Sequence, residues 1–172
     1  MLPPEVLGEI VNRTALKYGV RVDVVMCIVL QESNCNPFAF RYEPAFYSTY
    51  VASKGRSELT GWVPKPNDTP SLDSEKMARS TSWGLMQCMG DSARWCAKFS
   101  NPYLTALCDP ELGVDAGCQI LKYYLDKEKG DYRRALSRYN AGTATSERGK
   151  AYAEKIFKRI ENKEHLKFLK GS

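Results

Sequence analysis

The residue types present narrow the chemistry before any fold is considered. The chain has one histidine, His165, placed in the charged tail Asn162-Lys163-Glu164-His165-Leu166-Lys167. Ser-His-Asp and Cys-His mechanisms each hold an imidazole against a nucleophile, and catalytic zinc sites mostly use two or three histidines. A single tail histidine suits none of them. The six cysteines, Cys27, Cys35, Cys88, Cys96, Cys108 and Cys118, include no Cys-x-x-Cys pair, so neither a zinc knuckle nor a dithiol redox motif is expected. If the chain is an enzyme, it is then expected to work without metal or cofactor, and its proton transfers fall to carboxylates. Glu32 is the outstanding one. It follows the apolar run Val24-Val25-Met26-Cys27-Ile28-Val29-Leu30, at the point where a buried element leaves the core. A carboxyl held against apolar surroundings keeps its proton more tightly, as a general acid must until a leaving group takes it. A helix C-terminus acts in the same direction through its partial negative charge. Position alone also allows an ordinary acid on an exposed turn.

Helices dominate the elements expected to position this residue. Pro4 opens an amphipathic segment with Val6, Leu7, Ile10, Val11 and Leu16 at helical spacing, closed by Gly19. Asp23 is a good cap for a second helix, which reaches Gln31-Glu32-Ser33 and ends at Asn36-Pro37. Seven successive apolar residues also suit a buried strand; the flanking helix and cap favour a helix. From Phe38 to Ser82 the periodicity vanishes amid prolines and the aromatics Phe40, Tyr42, Phe46, Tyr47, Tyr50 and Trp62. A connection that long is uncommon unless functional. Beyond it, Asp91 or Ser92 is expected to cap a helix through Ala93, Cys96 and Phe99. Asp109-Pro110-Glu111 starts another with the face Val114, Cys118, Leu121 and Leu125, closed by Gly130. Asp131 caps a helix with Tyr132, Ala135, Leu136 and Tyr139, broken at Asn140-Ala141-Gly142. A basic helix fills about 147–170. The cysteines read as small buried hydrophobes. At 172 residues, one mostly α domain is expected.

Distant segments then point to one family. Glu32-Ser33 with Asn36-Pro37, Gly84-Leu85-Met86-Gln87, and Tyr139-Asn140-Ala141-Gly142 occur in that order. Together they resemble the lytic transglycosylase and goose-type lysozyme superfamily, the SLT domain, over most of residues 5 to 145. The resemblance implies a mostly α, lysozyme-like single domain over 1–172 with a long sugar-binding cleft; the irregular stretch of about 38–82 departs from the family pattern and reads as an insertion shaping one rim. It makes Glu32 the single acid/base cleaving peptidoglycan between N-acetylmuramic acid and N-acetylglucosamine, with closure of a 1,6-anhydro ring. By the same resemblance Ser33 and Gln87 bond the sugar and Met86 packs against it. Tyr139 places its hydroxyl near Glu32, and Asn140 binds substrate or braces the loop. Plain packing is the competing reading for Met86 and Tyr139, and for the insertion aromatics, whose flat faces also suit pyranose rings.

A hydrolase of the same bond is the alternative, since an inverting mechanism needs a second carboxylate to activate water. Goose-type lysozymes carry aspartates shortly before the GLMQ-like segment. Here Arg79-Ser80-Thr81-Ser82-Trp83 contains none, leaving Glu43 as the best candidate, then Asp68 and Asp73. A non-catalytic peptidoglycan-binding module is the rival from another class. Arg41-Tyr42-Glu43-Pro44 resembles a stretch of phage endolysins. The start Met1-Leu2-Pro3-Pro4-Glu5 does not read as a signal peptide, which suits an enzyme made in a host cytoplasm and acting on the wall as a monomer. The net charge of +5 favours encounter with an anionic wall. Lys150, Lys155, Lys158, Arg159, Lys163, Lys167 and Lys170 also suit weak contact with an anionic membrane. No recognition motif suggests nucleic acid.

Overall fold

The computed structural model describes residues 2–62 and 70–169. In chain order its helices and strands are α1 (Pro4–Tyr18), α2 (Val22–Ser33), β1 (Phe40–Tyr42), α3 (Pro44–Phe46), α4 (Leu72–Arg79), β2 (Thr81–Trp83), β3 (Cys88–Met89), α5 (Gly90–Trp95), α6 (Pro110–Lys127), α7 (Tyr132–Ala141) and α8 (Glu147–Glu161). The fold is mostly α and lysozyme-like in class. Two compact units form, residues 1–35 with 118–172 and residues 36–117, with the boundary falling inside α6. Asp68 and Lys170 lie outside the described residues.

In the first unit, α2 is the core element. Val24 through Val29 have no exposed surface, and α1, α8 and a 3-10 turn at Glu164–Lys167 pack on it. The helix starts at Val22, one residue ahead of the expected cap. Asp23 instead occupies the first turn, where its Oδ1 accepts the Val24 N–H at 2.8 Å and its other oxygen pairs with Arg21 at 2.5 Å. An acid there complements the helix dipole. α1 runs to Gly19, whose φ of 63° ends it in the left-handed region. Its buried stripe of Leu7, Ile10, Val11 and Ala15 is narrower than expected, because Val6 and Leu16 are exposed. α8 stops at Glu161 rather than continuing to 170; Lys163, at φ 58°, turns the chain into the 3-10 turn.

The α7 and α8 helices approach closely enough to require glycine. A Cβ on Gly149 would stand 2.1 Å from Ser137 Oγ and 2.8 Å from the Ser137 carbonyl oxygen. Both helices have side-chain caps, the expected Asp131 accepting the Arg134 N–H and Ser146, which the sequence reading does not single out, accepting the Gly149 N–H, each at 3.1 Å.

The second unit corrects the reading of 38–82 as irregular. This stretch contains β1, α3, a π turn at Tyr47–Val51, a 3-10 turn at Arg56–Glu58, α4 and β2. β1, β2 and β3 form a three-stranded antiparallel sheet with Phe40 opposite Trp83 and Trp83 opposite Cys88. α4 escaped detection because its pattern is inverted: Glu75, Lys76 and Arg79 are buried while Met77 is exposed. Charge occupies the core here. Glu75 Oε1 accepts from Arg79 Nε at 2.9 Å and Arg94 Nε at 2.8 Å, and its Oε2 accepts from Arg94 at 3.0 Å. Arg79 also donates to Asp91 at 2.8 Å and to the Thr60 carbonyl at 2.9 Å. Arg94 donates to the carbonyls of Phe99, Asn101 and Pro102. α5 starts at Gly90 with Met89 as its cap, so neither Asp91 nor Ser92 caps it as expected; Asp91 sits in the first turn, bound to Arg79, and the helix ends at Trp95, short of the expected run to Phe99.

Breaking one partner of such a network leaves an uncompensated buried charge. Glu75→Gln is therefore expected to lower the unfolding free energy by about 3–5 kcal/mol, the range for breaking buried pairs, read from urea denaturation midpoints at constant m-value.

Candidate active site

Glu32 and Ser33 are the last two residues of α2, and both are half-buried. The helix stops abruptly, since Asn34 (φ 48°) and Cys35 (φ 65°) are successive non-glycine residues in the left-handed region. The Ser33 hydroxyl donates to the Val29 carbonyl at 3.1 Å. The neighbouring Gln31 is held by Arg159, whose Nε donates to its Oε1 at 3.0 Å.

Tyr139 and Asn140 occupy the matching place on α7, in its last turn, and are also half-buried. Gly142 at φ 73° caps that helix, returning its N–H to the Arg138 carbonyl at 2.8 Å, and Ser137 Oγ donates to the Thr143 carbonyl at 2.9 Å. Both α2 and α7 rest on α8. The register of α7 is further set by Glu128, which pairs with Arg134 at 2.5 Å and with Arg138. Those two arginines hold the Glu128 carboxyl below its ordinary pKa.

Met86, Gln87 and Glu43 lie in the second unit. Gly84 to Gln87 form the turn between β2 and β3. Gly84 needs its φ of 71° and its missing side chain, because a Cβ would fall 2.2 Å from the Leu107 carbonyl oxygen. Met86 has no exposed surface; its side chain lies against Gly117, where a Cβ would meet the sulfur at 2.3 Å. The packing reading of Met86 therefore describes this structure, and the thioether presents no surface for a sugar.

Gln87 is also in the left-handed region, at φ 46°, a conformation that costs a non-glycine residue roughly 1–2 kcal/mol. Its amide offsets that cost. Nε2 donates to the Ala39 carbonyl at 2.9 Å and the Gly84 carbonyl at 3.0 Å, so the side chain fastens the turn to the chain entering β1. Two carbonyl acceptors fix the amide's orientation, leaving Oε1 without a hydrogen bond among the described residues. Glu43 pairs with Arg41 at 2.5 Å and its N–H donates to the Ser80 carbonyl at 2.8 Å. Asp73 lies exposed in the first turn of α4. The insertion aromatics divide: Phe40 stacks on Trp83 and Phe46 lies against Tyr50, while Phe38, Phe40 and Tyr50 remain exposed.

Sequence reasoning missed Gln31, Glu128 and the Glu75–Arg79–Arg94–Asp91 network as positioning groups. The i, i+4 spacing of Glu75 and Arg79 was the available signal. The cysteines are free thiols; Cys27, Cys35, Cys88 and Cys118 are buried, and desolvation pushes Cys27 and Cys96 up to about 12.

Residues 9–161 match the transglycosylase SLT domain. The chain belongs to the transglycosylase SLT domain family. This SLT domain thus acts on peptidoglycan, with lytic transglycosylase activity as the family's general chemistry, and its place of action is the cell wall. No curated protein and no solved structure matches the chain. Among the described residues no helix is long and apolar enough to cross a membrane.

The Glu128 clamp makes the α7 end of this SLT domain acid-sensitive. Because the folded-state pKa is depressed, the stabilisation is present above the ordinary carboxylate pKa and lost as pH falls through the folded value. Glu128→Gln is expected to melt lower than the parent chain at pH 7, with the two midpoints beginning to approach near the unperturbed Glu value of about 4.3 and meeting only below the depressed folded value. Thermal melts across that range check it.

Proposed function

We propose that this SLT domain cleaves the β-1,4 bond between N-acetylmuramic acid and N-acetylglucosamine, with Glu32 as the sole acid/base. The observation that carries the reading is Glu32's place in the last turn of a helix buried from Val24 to Val29, within a chain of this family. A half-buried carboxyl on a fixed helix end can hold a proton for delivery without being sealed from a substrate.

The protonated Glu32 carboxyl donates to the glycosidic oxygen as the C1–O bond breaks, and N-acetylglucosamine leaves as the alcohol. The resulting Glu32 carboxylate then takes the proton from the muramyl C6 hydroxyl while that oxygen bonds to C1. A 1,6-anhydro ring closes, Glu32 is again protonated, and no water enters. Tyr139 directs its hydroxyl toward the carboxyl, Ser33 and Asn140 bond the substrate, and Gln87 offers Oε1 as an acceptor to a sugar hydroxyl or amide. Met86 acts from beneath, as packing under the Gln87 turn.

Hydrolysis would require a second carboxylate for water. Glu43, engaged by Arg41, is a poor fit to that task, which supports the anhydro-forming route. The resemblance of Arg41-Tyr42-Glu43-Pro44 to phage endolysins supports a role in host-cell lysis. Exposed Lys155, Lys158 and Lys163 on and just after α8 would favour encounter with anionic wall or membrane surfaces, an attraction weakened by added salt.

Glu32→Gln tests the assignment. It is expected to reduce clearing of purified murein by at least about 10²-fold, the lower range for losing a general acid–base, while co-sedimentation with murein persists. Clearing at the parent rate would remove Glu32 from the chemistry. Loss of binding together with clearing would instead indicate a disrupted fold.

A further inference from the structure

The last turn of α2 carries no basic residue of its own to complement its partial negative charge. A helix end leaves carbonyls without intrahelical partners, and this one is followed by two left-handed non-glycine residues, Asn34 and Cys35, where a glycine would be unstrained. Glu32 lies within that last turn, directly before the two left-handed residues. Catalytic groups displaced by about 1 Å can lose about 10²-fold in rate. A contact from outside the helix that fixes this turn therefore bears on the rate.

Arg159, in the last turn of α8, is placed to do so. Its Nε donates to Gln31 Oε1 at 3.0 Å, and a second guanidinium nitrogen pairs with Glu164. The contact with Gln31 spans 128 positions of chain. Arg159 is part-buried, its side chain 30% exposed, so this is no solvated surface pair. A cation at a helix C-terminus is also electrostatically favourable. Glu164 is itself fixed, because it opens the 3-10 turn that packs on α2. That turn is seated at both ends of its contact. The Cys27 thiol lies against the His165 backbone, and the Phe168 carbonyl oxygen comes so close to Gly8 that a Cβ there would stand 1.9 Å away. The C-terminal segment thus anchors Glu164, Glu164 orients Arg159, and Arg159 holds Gln31 beside Glu32.

We propose that Arg159 is a positioning residue for Glu32, acting through the side chain of Gln31. The inference rests on the reading of Glu32 as the acid/base, and it assigns Arg159 no contact with substrate. A planar guanidinium is suited to the task because it presents donors in fixed directions to two acceptors at once. An ammonium at the same position is a single point charge and cannot reproduce the bridge.

The test is steady-state cleavage of soluble uncrosslinked glycan strands by Arg159→Met, Arg159→Lys, Gln31→Met and the Arg159→Met/Gln31→Met double variant, with Glu32→Gln in parallel. Each is assayed well below its own unfolding midpoint. Arg159→Met is expected to lower kcat about tenfold, well within what misplacing a catalytic group costs, with KM changed by less than about twofold. Arg159→Lys is expected not to restore kcat. Gln31→Met should produce a similar loss, and the double variant no further loss, because both substitutions remove the same bridge. Parent kcat in Arg159→Met, or single losses that multiply in the double variant, overturns the proposal. Should Arg159→Met fail to fold, Gln31→Met decides alone, and an unchanged kcat there overturns it. A Glu32→Gln enzyme that still cleaves removes the reading on which the inference rests. An inactive Glu32→Gln beside a fully active Arg159→Met removes the brace alone.

Discussion

A helix with no solvent face must be wrapped by other elements, and α2 is such a helix. Val24, Val25, Met26, Cys27, Ile28 and Val29 are each fully buried; burying a Val-, Ile- or Met-sized side chain contributes roughly 1.5–3 kcal/mol. The first unit is organised by that requirement. α1 and α8 cover α2 along its sides, and the turn after α8 returns to close over Cys27. The same requirement limits where a carboxyl can sit. The first acid after the run is Glu32, on the final turn, where the helix emerges from its wrapping and exposure becomes partial. The position of the proposed acid/base is thus a consequence of how the apolar run is buried.

The second unit solves its packing differently. Val51, Leu59, Leu85, Met86, Leu104 and Leu107 provide an apolar core, but the segments around it lack regular structure long enough to hold one another. Glu75, Arg79 and Arg94 tie them together. Their desolvation is costly, and it is offset only when every donor and acceptor is used. The two arginines spend their donors on Glu75, Asp91 and four backbone carbonyls. Those carbonyls lie at Thr60 and from Phe99 to Pro102, in loops that no sheet or helix pairs. The network therefore satisfies loop backbone while binding α4 to α5. β2 begins two residues after Arg79, so the turn presenting Gln87 follows directly from it.

The legible parts of the sequence were those in which apolar spacing or capping chemistry matched the local structure. The cap at Asp131, the helix-ending glycines 19 and 142, and the face Val114, Cys118, Leu121 and Leu125 could be read directly. α4 could not, because hydrophobic periodicity presumes that charge faces water and here Met77 faces water instead. The sheet was missed for another reason: its strands are two or three residues long and are held by partners distant in the chain. Among the candidate site residues, the ordered motifs pointed to Glu32, Gln87 and Tyr139 by resemblance. They could not reveal that Met86 is sealed beneath its turn or that Gln87 uses both amide hydrogens on backbone. Nor could spacing show Arg159 reaching Gln31, since that contact exists only after α8 has packed on α2. Side-chain contacts across the tertiary fold leave no local signature.

A single carboxyl that first gives and then recovers a proton predicts a product made without solvent. The most direct measurement is mass analysis of muropeptides released by this SLT domain during digestion in water enriched in heavy oxygen. The account predicts fragments lighter by one water than hydrolytic ones and free of the heavy isotope at the muramyl C1. Reducing-end fragments carrying the heavy oxygen would contradict it and place an activated water where the muramyl hydroxyl is proposed to act.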